Sequence, residues 1–141
     1  MAGTSFSSGD RPPRVAIVGS FTRDTEGLRR AYQELTLAGC QVISPRGVDF
    51  DTGKFVRLPG EDMLSANELE RAHLSAIVMS DFVWLHAPSG YVGNAGYFEI
   101  GFAAAHQKVI FSKNDIDGEP TIAQFVRLVT SVFEGLLKLQ K

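Results

Sequence analysis

The strongest constraint on this chain is a set of short, unbroken apolar runs separated by amphipathic stretches. Residues 14–18 read RVAIV and stop at Gly19; residues 41–43 (QVI), 82–85 (FVWL) and 109–111 (VIF) are of the same kind. A strand with one wet face alternates polar and apolar residues, whereas a strand buried on both faces has no reason to. Such runs, rich in β-branched residues, predict parallel strands covered by helices on both sides. The intervening stretches carry a helical period. Leu28, Ala31, Tyr32, Leu35 and Ala38 recur at spacings of three and four. Asp24 and Glu26 stand in front of them, where the helix dipole favours negative charge, and Gly39 follows, where a left-handed cap is expected.

A second helix is predicted from about Glu61 to Met79, with Leu69, Ala72, His73, Ala76 and Ile77 facing inward, and a third from near Ala95 to near His106. The last is predicted to start near Thr121, behind Pro120, with Ile122, Phe125, Val126, Val129, Phe133 and Leu136 on one face. The order β-α-β-α-β-α-β-α with right-handed crossovers gives a three-layer, flavodoxin/Rossmann-like α/β domain. Its four- to five-stranded parallel sheet has helices on both faces. A fifth strand is sought in residues 48–58, although Gly and Asp there, with Pro59 next to them, argue against one. The polar residues 1–13 (MAGTSFSSGDRPP) read as a disordered leader, leaving 14–141 as a single domain. With no apolar core in that leader to act as a secretory signal, the cytoplasm is the expected compartment.

Charge and composition narrow the partners. The chain of 141 residues has 14 Lys+Arg against 16 Asp+Glu, so no broad basic surface exists for a DNA or RNA polymer. Its one cysteine, Cys40, cannot close a disulfide within the chain and reads as a small buried residue. No Cys/His cluster has the spacing of a metal site, and no cofactor is implied. No apolar run reaches the length of about 18 residues that a membrane span needs.

In an open parallel sheet, ligands bind beyond the carboxyl ends of the strands. Two segments are placed there: Gly19-Ser20-Phe21-Thr22-Arg23 after the first strand, and Ala87 to Ala95 (APSGYVGNA) after the third. Both lead into helix N-termini, which offer free N–H groups to anions. Neither has the spacing of a P-loop or of GxGxxG. Ser89 and Asn94 suit phosphate or sugar, Asn94 equally suits a helix cap, and Phe21 and Tyr91 suit stacking on a base. The long connection 44–60, with Arg46, Lys54 and Arg57, has the length of a binding loop. Asp81, at the start of the third strand, reads as structural.

The third helix carries the sharpest signal. Within AGYFEIGFAAA, residues 95–105, Glu99 is the only charge. A helix so apolar is enclosed on most sides, and a charge inside it is costly unless paired or hydrogen-bonded. A carboxylate one turn into a helix beside a Gly-rich turn suits three roles. It can attack a sugar anomeric carbon, accept hydrogen bonds from ribose hydroxyls, or hold loop amides in place.

These parts together resemble the nucleoside 2-deoxyribosyltransferase superfamily, which includes deoxynucleoside monophosphate N-glycosidases and an uncharacterised branch. The resemblance runs from about Arg14 to Ser112 and rests on VAIVGSFTR, SDFVWL and SGYVGNAGYFEIGFAAAHQKVIF. The family's E-[IL]-G-x-A motif is matched by Glu99-Ile100-Gly101-Phe102-Ala103, which implies that Glu99 is the nucleophile. The family's first loop contacts sugar and phosphate, which implies that role for Gly19, Ser20, Phe21 and Arg23. In the turn, Ser89, Gly90, Tyr91, Gly93 and Asn94 are the implied substrate-binding residues.

The implied activity is retaining cleavage or transfer of an N-glycosidic bond in a nucleoside or nucleotide, within a homodimer or higher homo-oligomer. The chain departs from the family at two places. Where well-known members carry an Asp, eight residues before the Asp of the third strand, this chain has His73, a residue able to donate a proton. The span from Asp81 to Glu99 is two residues longer than in the simplest monophosphate hydrolases. His73 motivates the alternative of a nucleotide-binding or sensing domain without catalysis. A phosphoribohydrolase turn, PGGxGTxxE, is matched poorly by PSGYVGNAGYFE.

Overall fold

The computed structural model describes residues 11–47, 64–116 and 119–140. Five strands form one sheet: β1 (Arg14–Gly19), β2 (Gln41–Ser44), β3 (Phe82–His86), β4 (Ile110–Ser112) and β5 (Val126–Leu128). The order is β2-β1-β3-β4-β5 and every pairing is parallel. The helices are α1 (Thr25–Leu37), α2 (Ala66–Met79), α3 (Asn94–Ala105), the short α4 (Pro120–Ala123) and α5 (Val132–Leu139). The three-layer α/β expectation therefore holds, with strand order doubling back between β1 and β3.

The unbroken apolar runs explain the middle of the sheet. Val15, Ala16, Ile17 and Val18 of β1, and Phe82 to Leu85 of β3, are all buried. Odd residues of β1 and even residues of β3 point one way: Val15, Ile17, Phe82 and Trp84 pack with Leu28 and Leu35 of α1 and Val132 of α5. Ala16, Val18, Val83 and Leu85 point the other way, against Ile77 of α2 and Ile100 and Ala103 of α3. The period of two along each strand thus feeds two apolar cores from one sequence run.

The caps fix where the helices start and stop. The Asp24 carboxylate accepts from the Gly27 N–H at 3.0 Å. Ser65 and Glu68 form a reciprocal box, each side chain accepting the other's backbone N–H. That box starts α2 at Ala66, five residues after the expected front at Glu61. Ala72, expected to face inward, is exposed, and Leu74 packs against the core. At the end of α1, the Cys40 N–H reaches back to the Leu35 carbonyl at 3.0 Å while Gly39 takes φ +95°.

The last helix is not one helix. Its predicted stripe breaks into α4, β5 and α5, with Phe125 and Phe133 largely exposed. Val126, Arg127 and Leu128 pair with Ile110, Phe111 and Ser112, so tertiary pairing overrides a helical period. Ser131 then caps a fresh start, its hydroxyl accepting from the Glu134 N–H at 3.0 Å. The fifth strand is thus at 126–128, while the stretch 48–58 lies outside the described residues.

The amino ends of the strands are tied by ionic contacts. Arg11, expected within the leader, donates twice to the Asp81 carboxylate, at 2.7 and 2.9 Å, and the Arg14 N–H adds a third bond at 2.7 Å. The Arg11 hydrogen bond, followed by the Arg14 N–H and the nearby charges, holds the Asp81 carboxyl below the usual carboxylate range. Cys40 is buried, as expected, and burial pushes its thiol up to about 12.

Candidate active site

Two loops leave the carboxyl ends of the central strands, and glycines bring them together. Gly19 takes φ +120°, and a Cβ there would lie 2.2 Å from the His86 carbonyl oxygen. The Ser20 N–H donates to that same oxygen at 3.2 Å, continuing the β1–β3 pairing past the strands. A Cβ at Gly96 would lie 2.8 Å from Val92 Cγ1 and 3.4 Å from Gly19 Cα, so the first turns of α3 sit directly on the end of β1. Gly90, at φ +84°, and Ser89, at φ +52°, turn the chain between β3 and α3. Arg23 from the first loop lies over the Tyr91 ring of the second, its guanidinium carbon 3.6 Å from the ring centroid.

Glu99, on α3, is only 6% exposed. Its Oε1 is 3.5 Å from His73 Nε2, and the other ring nitrogen, Nδ1, meets Ser44 Oγ at the end of β2 at 2.5 Å. The Phe21 ring stands edge-on to the His73 ring, centroids 6.2 Å apart. A third titratable group completes the cluster. Glu70, one turn before His73 on α2, lies beside Glu99. Burial first, then the hydrogen bond and the charge of Glu99, push the Glu70 carboxyl up to about 8. Glu70 Oε2 and His73 Nε2 are buried without a hydrogen-bond partner. Among the described residues, no lysine or arginine pairs with either carboxylate.

The predicted residues therefore fall into three sets. Glu99, His73 and Phe21 come together around one point, with Gly19 packed against the α3 turn that leads to Glu99. Ser20 is held by its backbone, Arg23 and Tyr91 bridge the loops, and Gly90 shapes the turn. Gly93 occupies the cap position of α3, and the exposed Asn94 is the first helical residue, so Asn94 does not serve as the cap. Ser89 belongs elsewhere. It lines a hollow of about 270 Å³ on the α1 face, together with Asp24, Arg30, His86, Lys113 and Asn114. There His86 Nε2 donates to the Asp24 carbonyl at 3.1 Å, and burial lowers the His86 pKa. Of the long connection, residues 44–47 are described, whereas Lys54 and Arg57 lie outside the described residues.

Two members of the cluster have no role in the sequence reading. Glu70 carried a signal, a carboxylate three residues before His73 and so on the same helical face. Ser44 carried none, being simply the last residue of a strand. Among the described residues, no group of three or more His, Cys, Asp or Glu is arranged to hold a metal ion. No described helix is long and apolar enough to cross a membrane.

No family model and no curated protein matches the sequence. Solved structures do. The chain is similar to the Clostridium botulinum CMP N-glycosidase BcmB, with a TM-score of 0.53 and 17% identity over 90% of this chain and 97% of that one. It is also similar to a conserved protein from Enterococcus faecalis, with a TM-score of 0.52 and 10% identity over 92% and 98%. At these identities the likeness is one of fold: this chain has the parallel α/β architecture that a CMP N-glycosidase also has.

Proposed function

We propose that this protein cleaves the N-glycosidic bond of a nucleoside or nucleoside monophosphate, with Glu99 as the nucleophile. The observation that carries this reading is a buried carboxylate facing a second carboxyl and an imidazole, with no described cation to neutralise it. Structural ion pairs match opposite charges. A site that crowds acids together and raises a carboxyl to about 8 is arranged for proton chemistry. The fold shared with a CMP N-glycosidase supports the same class of substrate.

In this mechanism a Glu99 oxygen attacks C1′ of the pentose as the C1′–N bond breaks. The bonding pair leaves on the base, which takes a proton from the α2 face, where Glu70 and His73 stand. The positive charge that develops at C1′ is stabilised by the Glu99 carboxylate. Water or a second base then attacks C1′, releasing Glu99 and giving hydrolysis or transfer with retained configuration. The loops bearing Gly19, the Ser20 hydroxyl, Arg23 and Gly93 supply hydroxyl, N–H and cationic groups suited to a 5′-phosphate. Incubation with a panel of nucleosides and nucleoside monophosphates, followed by chromatography, tests the reading: free base is expected, and Glu99→Gln is expected to abolish its release.

A binding role without turnover is favoured by one feature, His73 tied through Nδ1 to Ser44 where the resembled family has an Asp. It predicts nucleotide-dependent thermal stabilisation with no base released. Base release proportional to protein concentration excludes it.

A further inference from the structure

Two ionised carboxylates can only accept hydrogen bonds, so Glu70 and Glu99 side by side repel each other unless one of them holds a proton. Three features place it on Glu70. His73 is held through Nδ1, 2.5 Å from Ser44 Oγ, which leaves Nε2 3.5 Å from Glu99 Oε1. Glu99 Oε1 thus faces the His73 ring, whereas Glu70 Oε2 is buried without a hydrogen-bond partner. A charge on Glu70 would face the acid Glu99 of α3, with His73 one turn along its own helix and no described lysine or arginine paired with it. Resting on the glycosidase reading of this site, we infer that Glu70, rather than His73, is the proton donor to the departing base.

The step balances. Glu99 forms the bond to C1′, the C1′–N electron pair goes to the base nitrogen, and that nitrogen takes the Glu70 proton. The Glu70 carboxylate then accepts a proton from the incoming water as it displaces Glu99, which restores both groups. His73 is a positioning residue: held by Ser44, it orients Glu99.

The test is the pH profile of kcat/KM for base release by wild type, Glu70→Gln and His73→Asn. Wild type is expected to lose activity through an alkaline limb near pH 8. Glu70→Gln is expected to slow base release roughly 10²-fold or more and to lose that limb. It should keep the first-step burst of 4-nitrophenolate from a 4-nitrophenyl pentofuranoside, whose leaving group needs no proton, within a few-fold of wild type, while steady turnover slows because Glu70 also takes the proton of the incoming water. His73→Asn is expected to be slower but to retain the limb. An unchanged alkaline limb in Glu70→Gln, or its loss in His73→Asn alone, overturns the assignment while leaving Glu99 chemistry intact. If wild type releases no base from any substrate, the glycosidase reading itself fails and the donor role falls with it. Carboxyl carbon NMR gives a readout independent of turnover. A glutamate titrating near pH 8 that is absent from Glu70→Gln supports the shared proton, and a Glu70 in the ordinary carboxylate range contradicts it.

Discussion

Strand β3 has an acid at each end, and the two are treated in opposite ways. At its amino end, Asp81 faces the Arg11 guanidinium and the Arg14 N–H, and its carboxyl is held below the usual range. Beyond its carboxyl end, Glu70 and Glu99 face each other with no described cation, and Glu70 is driven upward. The first arrangement satisfies a charge and fastens the chain to the edge of the sheet. The second puts two acids together with no described lysine or arginine to offset them, and leaves a carboxyl oxygen and an imidazole nitrogen buried without partners. The contrast separates a structural acid from a working one without appeal to any relative.

The comparison breaks first at Glu99. Glu99→Gln is expected to reduce base release by at least ~10³-fold with an unchanged circular dichroism spectrum, because the amide cannot attack C1′. Asp81→Asn is expected to leave the rate unaltered, and equal losses in the two variants would remove the distinction.

A second large effect is structural. Gly19→Ala puts a methyl group against the His86 carbonyl at a backbone angle that side chains rarely adopt. The strained angle alone costs about 1–3 kcal/mol, so a lowered melting temperature and a displaced site are expected.

The opposite pKa shifts also predict opposite pH limbs of stability. Glu70 is raised, so its contribution is complete below the ordinary carboxylate value and is lost as pH rises through about 8. Asp81 is depressed, so its contribution is present above the ordinary value and is lost as pH falls through its folded value. Melting temperature measured against pH should lose its alkaline slope in Glu70→Gln and part of its acid slope in Asp81→Asn. The smallest effect is expected at the loop bridge: Tyr91→Ala removes the stacking of Arg23, a contact of about 0.5–1 kcal/mol at an exposed site. It should therefore weaken substrate binding more than it lowers stability.

The sequence makes these two ends unequally legible. β1 and β3 are readable because burial on both faces demands unbroken apolar runs. Glu99 is readable because it is the lone charge of an otherwise apolar helix. Glu70 is readable only as a neighbour of His73 on one helical face, and the packing of α2 on α3 is what brings it to Glu99. The same holds for β5, whose Val126-Arg127-Leu128 fits a helical period and becomes a strand only by pairing with β4. Asn94 reads as a cap by residue type, but the cap position falls on Gly93, one residue earlier. What depends on neighbours in sequence could be read, and what depends on neighbours in space could not.

Trapping the covalent intermediate tests the central claim most directly. A 2′-deoxy-2′-fluoroarabino nucleoside monophosphate slows the second step of a retaining mechanism, because the fluorine disfavours positive charge at C1′. Intact-protein and peptide mass spectrometry should then find one fluoropentosyl phosphate per chain, attached to Glu99 and absent from Glu99→Gln. Steady base release with an adduct on another residue, or undiminished release by Glu99→Gln, would contradict the account.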